Sequence, residues 1–115
     1  MRAIRNSLLL GVCAASVVLW GGGVQARDSA AIRASGHINI GVEPGLPPLG
    51  EYDDHNELVG YDVDIGRAIA QGLGVEPRFV TLASSGRIPY LMAGNVDIVL
   101  GGLTRTPVRA DVIAL

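Results

Sequence analysis

Apolar and polar positions change period several times along this chain, and each change marks an element. Residues 37–42 alternate strictly, with Ile38, Ile40 and Val42 on one side, which predicts a strand with one buried face. Before it, residues 28–35 read as a short helix capped by Asp28 or Ser29 and stopped by Gly36. From Asp62, a capping residue, Ile65, Ile69 and Leu73 recur every four positions; this predicts a helix burying one stripe, closed by Gly72 and Gly74. A second strand is expected over residues 78–82, after Pro77. Ser84 or Ser85 can then cap a helix whose first turn admits Pro89 and which Gly94 ends. Residues 96–100 are nearly continuous apolar sequence, as expected of a central strand covered on both faces. The fold class is α/β: a three-stranded, mostly parallel β-α-β-α-β unit joined by right-handed crossovers.

Between the first strand and the second helix, residues 43–56 hold Pro44, Gly45, Pro47, Pro48 and Gly50, and read as a long structured loop. Ligands of open parallel sheets bind beyond the carboxyl ends of the strands. Chemistry is therefore expected in residues 43–50 and 101–109. Thr106 followed by Pro107 looks like the N-cap and first residue of a short helix. Arg109 then falls in its first turn, where the helix dipole favours an anion over a cation. Free N–H groups at the helix start, the Thr104 hydroxyl and a forked guanidinium together make a candidate carboxylate or phosphate site. Gly101 and Gly102 let a ligand approach the backbone closely. The plainer alternative is a solvated Arg109 beside glycines that merely end a strand.

The first 26 residues follow a different logic. Arg2 and Arg5 precede an uncharged run from position 8 to position 24, and Val24-Gln25-Ala26 supplies small residues for cleavage. This predicts a secretory (Sec-type) signal peptide over residues 1–26 and export to the periplasm. A membrane anchor is the competing reading, weakened by the run's shortness and by Gly21, Gly22 and Gly23. Composition removes several other classes. Nine basic residues, all Arg, against eleven acidic ones leave no basic stripe for nucleic acid. The single cysteine, Cys13, excludes an internal disulfide, a zinc finger and a Cys-based redox pair. His37 and His55 lie far apart with no ligand spacing, so neither a metal nor a cofactor is expected.

Four motifs then occur in one order and spacing: Gly60-Tyr61-Asp62-Val63-Asp64-Ile65; Gly74-Val75; Arg87-Ile88-Pro89-Tyr90-Leu91 with Gly94-Asn95-Val96-Asp97; and Thr104-Arg105-Thr106-Pro107-Val108-Arg109. The series resembles the polar amino-acid-binding family of bacterial extracellular solute-binding proteins, family 3, the receptors of ABC importers. The likeness runs from about Ile32 to Leu115. It implies a periplasmic-binding-protein type II fold, with residues 27–115 forming the N-terminal part of lobe 1. It implies an amino acid or similar small carboxylate as ligand and ABC permease membrane subunits as partners.

In that family the Arg matching Arg109 pairs with the ligand α-carboxylate, the residue matching Thr104 hydrogen-bonds the ligand, and the backbone at Gly102 adds a contact. The acid matching Glu43 can help choose the ligand side chain, although the residue pattern alone reads Glu43 as a solvated loop acid. Asp62 and Asp64 read as helix-capping and dipole residues, not as an acid–base pair. Where the family usually carries a stacking aromatic, this chain has Leu46, followed by Pro47-Pro48-Leu49, so the wall is aliphatic or shifted to Tyr52 or Tyr90. The family's second lobe has no counterpart before Leu115, and a lone half-lobe is expected to bind weakly. Relatives of this fold include cyclohexadienyl-type dehydratases, domains attached to lytic transglycosylases and sensor domains of receptor kinases. These residues hold no nucleophile–base pair, so a non-enzymatic receptor is the expected class.

Overall fold

The computed structural model describes residues 26–115, so the predicted signal peptide lies outside the described residues except for Ala26. Helix α1 (Ser29–Ser35) starts where the Asp28 carboxylate accepts the Ala31 N–H at 2.7 Å, and left-handed Gly36 stops it. Strand β1 (His37–Val42) follows at once. Its predicted inner face is the centre of the core: Ile38, Ile40 and Val42 are at most 1% exposed.

The segment expected as a long structured loop runs into a small hairpin. Strands β2 (Glu51–Tyr52) and β3 (Leu58–Val59) pair antiparallel. Asp53 shapes the turn between them, its Oδ1 accepting the N–H groups of His55 and Glu57 at 2.9 Å each.

Helix α2 (Tyr61–Leu73) begins after Gly60, so Asp62 lies inside the first turn instead of capping it. Gly74 ends the helix in left-handed conformation, and Gly72 is its penultimate residue. The deepest line of α2 is Val63, Gly66 and Ala70, with Ile69 and Leu73 packed at its rim. The helix meets the sheet most closely at Gly66, where a Cβ would stand 2.7 Å from the Phe79 ring.

Strand β4 (Glu76–Thr81) starts two residues earlier than expected and includes Pro77, which an outer strand tolerates. A single 3₁₀ turn (Ser84–Gly86) leads into helix α3 (Arg87–Met92). Neither Ser84 nor Ser85 caps this helix through its side chain. Strand β5 (Ile98–Val99) and the one-turn helix α4 (Pro107–Ala110) complete the order.

The sheet is parallel with order β4-β1-β5. Among the described residues, the apolar run at residues 96–100 therefore supplies an outer strand of two paired residues, and β1 takes the centre. An apolar run reports cover above and below a strand; it does not report how many neighbours the strand has. From β1 the chain moves to one side for β4 and then crosses to the other for β5. The direction of winding thus reverses between β1 and β5, the crevice where open α/β sheets place their ligands.

An ion pair closes the unit on itself. Arg27 Nε donates to Asp97 Oδ1 at 2.8 Å and Arg27 Nη2 donates to Asp97 Oδ2, while the Asn39 N–H donates to the same Oδ2 at 2.8 Å. Arg27 also reaches Ser35 Oγ at 2.8 Å. Burial alone would raise the Asp97 pKa, but these donors and the Arg27 charge outweigh it and hold the carboxyl below the usual aspartate value. The segment before α1 is thereby pinned to the start of β5. Among the described residues no helix is long and apolar enough to cross a membrane.

Candidate functional site

Because all three strands run the same way, the segments leaving β1, β4 and β5 gather at one edge of the sheet. These segments carry Glu43, Ser84 and the Gly101–Gly102 pair respectively. A shallow cleft of about 330 Å³ opens between the first two, lined by Glu43, Pro44, Gly45, Thr81, Leu82 and Ala83. A larger cleft of about 390 Å³ lies against Leu91, Met92, Val112 and Ile113. The one charged residue lining it is the acid Asp97, itself engaged by Arg27, so it offers no cationic side chain to hold a carboxylate.

Glu43 is not the solvated loop acid that its sequence context suggests. Its side chain is only 17% exposed and forms an ion pair with Arg87 Nη2. Ser84 Oγ lies 2.8 Å from Oε1 and 2.9 Å from Oε2, so one hydroxyl proton is shared across the carboxylate. Ser84 does not cap α3 because it lies in the 3₁₀ turn before the helix, where Gly86 takes the cap position. Arg87, at the first position of α3, is 4% exposed, and its Nε has no partner among the described residues.

The same guanidinium ties in the third segment. Gly101 adopts φ +125°, and a Cβ there would stand 3.3 Å from Arg87 Nη2 and 3.7 Å from Asp62 Oδ2. Asp62 is 7% exposed, and burial pushes its carboxyl up from the ordinary aspartate value. Asp62, Arg87 and Glu43 thus form a buried polar seam under the residue that opens the loop after β5. Sequence reasoning missed this seam. Asp62 was legible in one respect, since it falls on the helical stripe i, i+4, i+7, i+11 with Gly66, Ile69 and Leu73. Arg87 gave no local signal.

The loop after β5 forms as its Thr-Pro signal predicts. Thr106 caps α4, its Oγ1 accepting the Arg109 N–H at 3.3 Å, with Pro107 at the first position. The helix has only four residues, too few for a substantial dipole, and its cap consumes the Arg109 N–H. The helix-start part of the anion argument therefore falls away, and the guanidinium remains. Arg109 Nη1 donates to the Thr104 carbonyl at 2.7 Å, which joins these two predicted residues and fixes one edge of the fork. Gly102 is exposed with open space around its Cα, so a ligand can reach its backbone. Leu46 is 38% exposed and its N–H and C=O bond within the turn to Gly50. Of the alternative aromatic walls, Tyr90 packs over Gly86 on α3 and Tyr52 lies on the hairpin. Among the described residues no hydrogen bond joins the Thr104–Arg109 pair to the Glu43 cluster directly; Gly101, close to Arg87, stands between them in the chain.

Residues 38–115 match the family described as bacterial extracellular solute-binding proteins, family 3. ABC transporter arginine-binding protein 1 of Escherichia coli K12 is 32% identical over 81 residues, covering 70% of this chain and 33% of that protein. The histidine-binding periplasmic protein of the same strain is 30% identical over 78 residues, covering 68% of this chain and 30% of that protein. Among solved structures, the arginine-bound form of domain 1 from the T. maritima protein TmArgBP matches with a TM-score of 0.69 and 35% identity, over 72% of this chain and 66% of that one. The chain spans about a third of the length of the curated relatives it matches.

Proposed function

The chain belongs to the bacterial extracellular solute-binding proteins, family 3, and on that premise we propose that it forms the N-terminal part of lobe 1 of a periplasmic amino-acid receptor. Residues 1–26 act as its export signal and residues 27–115 as the ligand-contacting unit. The receptor hands an amino acid or similar small carboxylate to ABC permease subunits in the membrane. It works by binding alone, without turnover; the relatives reported above are named for binding arginine or histidine, which supports this reading.

Arg109 takes the ligand α-carboxylate with its guanidinium fork, one N–H of which is already oriented by the Thr104 carbonyl. The Thr104 hydroxyl and the Gly102 backbone add hydrogen bonds. Glu43 and Leu46 lie toward the ligand side chain. The observation that carries this reading is the reversal of winding between β1 and β5: the loops bearing Glu43 and Arg109 leave the two strands that flank the crevice. The arginine-bound form of a single domain of TmArgBP supports measuring binding on one lobe.

The test is a chemical-shift titration of the exported chain with a panel of L-amino acids, repeated on Arg109→Ala. Removing a charge-assisted bidentate contact should weaken the best ligand about 100-fold. Unchanged affinity in Arg109→Ala overturns the site assignment.

A further inference from the structure

Arginine- and histidine-binding relatives suggest a ligand with a basic side chain, and an acid at position 43 would be its natural counter-ion. In this chain that acid is occupied. Both Glu43 oxygens receive the Ser84 hydroxyl, and Oε2 also receives Arg87 Nη2. The cation that neutralises Glu43 is buried beneath the Gly101 turn and cannot swing into water. We infer that the Glu43–Ser84–Arg87 triad is a specificity device that neutralises the side-chain end of the site, so that the ligand is an amino acid with an uncharged polar side chain and not a basic one. This rests on the proposed amino-acid-binding reading and sharpens it.

The physical argument is a competition for one carboxylate. A ligand ammonium or guanidinium could pair with Glu43 only by displacing Arg87, which would strand a buried guanidinium whose Nε already has no partner. Breaking such a pair from one side is strongly unfavourable, whereas leaving it intact presents a wall with no net charge. An acidic side chain fares no better, because Glu43 faces it and the Arg87 charge is spent. An uncharged amide or hydroxyl can still hydrogen-bond the outer lone pairs of Glu43 without disturbing the pair.

The exported chain should be titrated with L-glutamine, L-arginine and L-glutamate, which differ in charge at comparable length. L-Glutamine should bind at least about tenfold tighter than either of the others. A preference for L-arginine or for L-glutamate overturns the inference while leaving amino-acid binding standing. If no amino acid in the wider panel binds, the functional reading fails and the inference with it. Arg87→Gln releases Glu43 and should raise the ratio of L-arginine to L-glutamine affinity about tenfold. Because Arg87 is buried and its loss can prevent folding, Ser84→Ala provides a second route. Ser84 is exposed, and losing its hydroxyl loosens Glu43 while the guanidinium stays in place. It should move the ratio the same way by a smaller factor. A ratio unchanged in Ser84→Ala and in folded Arg87→Gln overturns neutralisation as the cause of the preference.

Discussion

Besides an exposed Arg67–Asp64 contact on α2, two arginine–carboxylate pairs among the described residues are at least partly buried, and they are built to opposite standards. At the start of β5, Asp97 receives Arg27 through both oxygens and the Asn39 N–H besides, and its carboxyl is held below the ordinary value. At the carboxyl edge of the sheet, Arg87 meets Glu43 but keeps an unpartnered Nε, and neighbouring Asp62 is pushed up by burial. The first pair satisfies its buried polar atoms and belongs to the architecture. The second leaves hydrogen-bonding capacity unspent where the strand-end loops converge. Incomplete polar satisfaction of that kind costs stability and is tolerated where a site needs it.

The contrast breaks most clearly at Asp97. Asp97→Asn keeps the shape but removes the charge that Arg27 and the Asn39 N–H were built around. Asn39 lies on the central strand, so the disturbance reaches the core. A loss of about 3 kcal/mol is expected, read as a lower urea midpoint with an unchanged slope. The ligand preference of the folded fraction should stay as in the parent chain, since Asp97 touches none of the candidate site. The pH dependence follows from the same carboxyl. Its folded pKa lies below the unfolded value of about 3.9, so its contribution is full above that value and is lost as pH falls through the folded pKa. The difference between parent and Asp97→Asn should accordingly shrink as the pH falls below about 4.

Both pairs were invisible in the sequence for one reason, which is distance along the chain. Arg27 and Asp97 are 70 residues apart, and Glu43 and Arg87 are 44 apart. What the sequence did disclose is local chemistry. The alternation of Ile38, Ile40 and Val42, the Asp28 cap, the Gly36 and Gly74 stops and the Thr106-Pro107 start all depend on neighbours within four or five residues. The same locality explains the errors. Nothing near residues 96–100 says which strands will flank them, and nothing near Ser84 says that its hydroxyl donates to Glu43. The first-turn position of Asp62 is a local fact that marks it as a dipole residue, whereas its closeness to Gly101, far along the chain, is not. Of the candidate site, Thr104 and Arg109 were legible as a unit because their loop is nearly self-contained.

A substitution at Gly101 sharpens the comparison from the other side. Gly101→Ala forces a side chain into φ +125° and sets a methyl group 3.3 Å from Arg87 Nη2. Strain at that backbone conformation, with displacement of the guanidinium, should cost about 2 kcal/mol. Its second effect distinguishes it from Asp97→Asn: it should also change ligand affinity, because the loop it deforms leads to Thr104 and Arg109. Equal stability loss with unaltered binding would show that the seam under Gly101 is architectural, like the Arg27–Asp97 pair.

The smallest expected effect has the opposite sign. Asp62 has a folded pKa above its unfolded value, so its favourable contribution is full below about 3.9 and is lost as pH rises through the folded pKa. At neutral pH its ionised form therefore weighs against the fold. Asp62→Asn keeps the size and removes that burden, and should stabilise the chain by about 1 kcal/mol at pH 7. The gain should fade as pH falls through the folded pKa, where Asp62 in the parent takes up its proton within the fold. Denaturation midpoints of the two chains, compared at several pH values between 4 and 8, read this directly. Stabilisation at neutral pH would mean that Asp62 is kept at a cost beside Arg87, as expected of a group that serves the site. Destabilisation would place the ionised carboxylate among the supports of Arg87 and make the second pair a satisfied network after all.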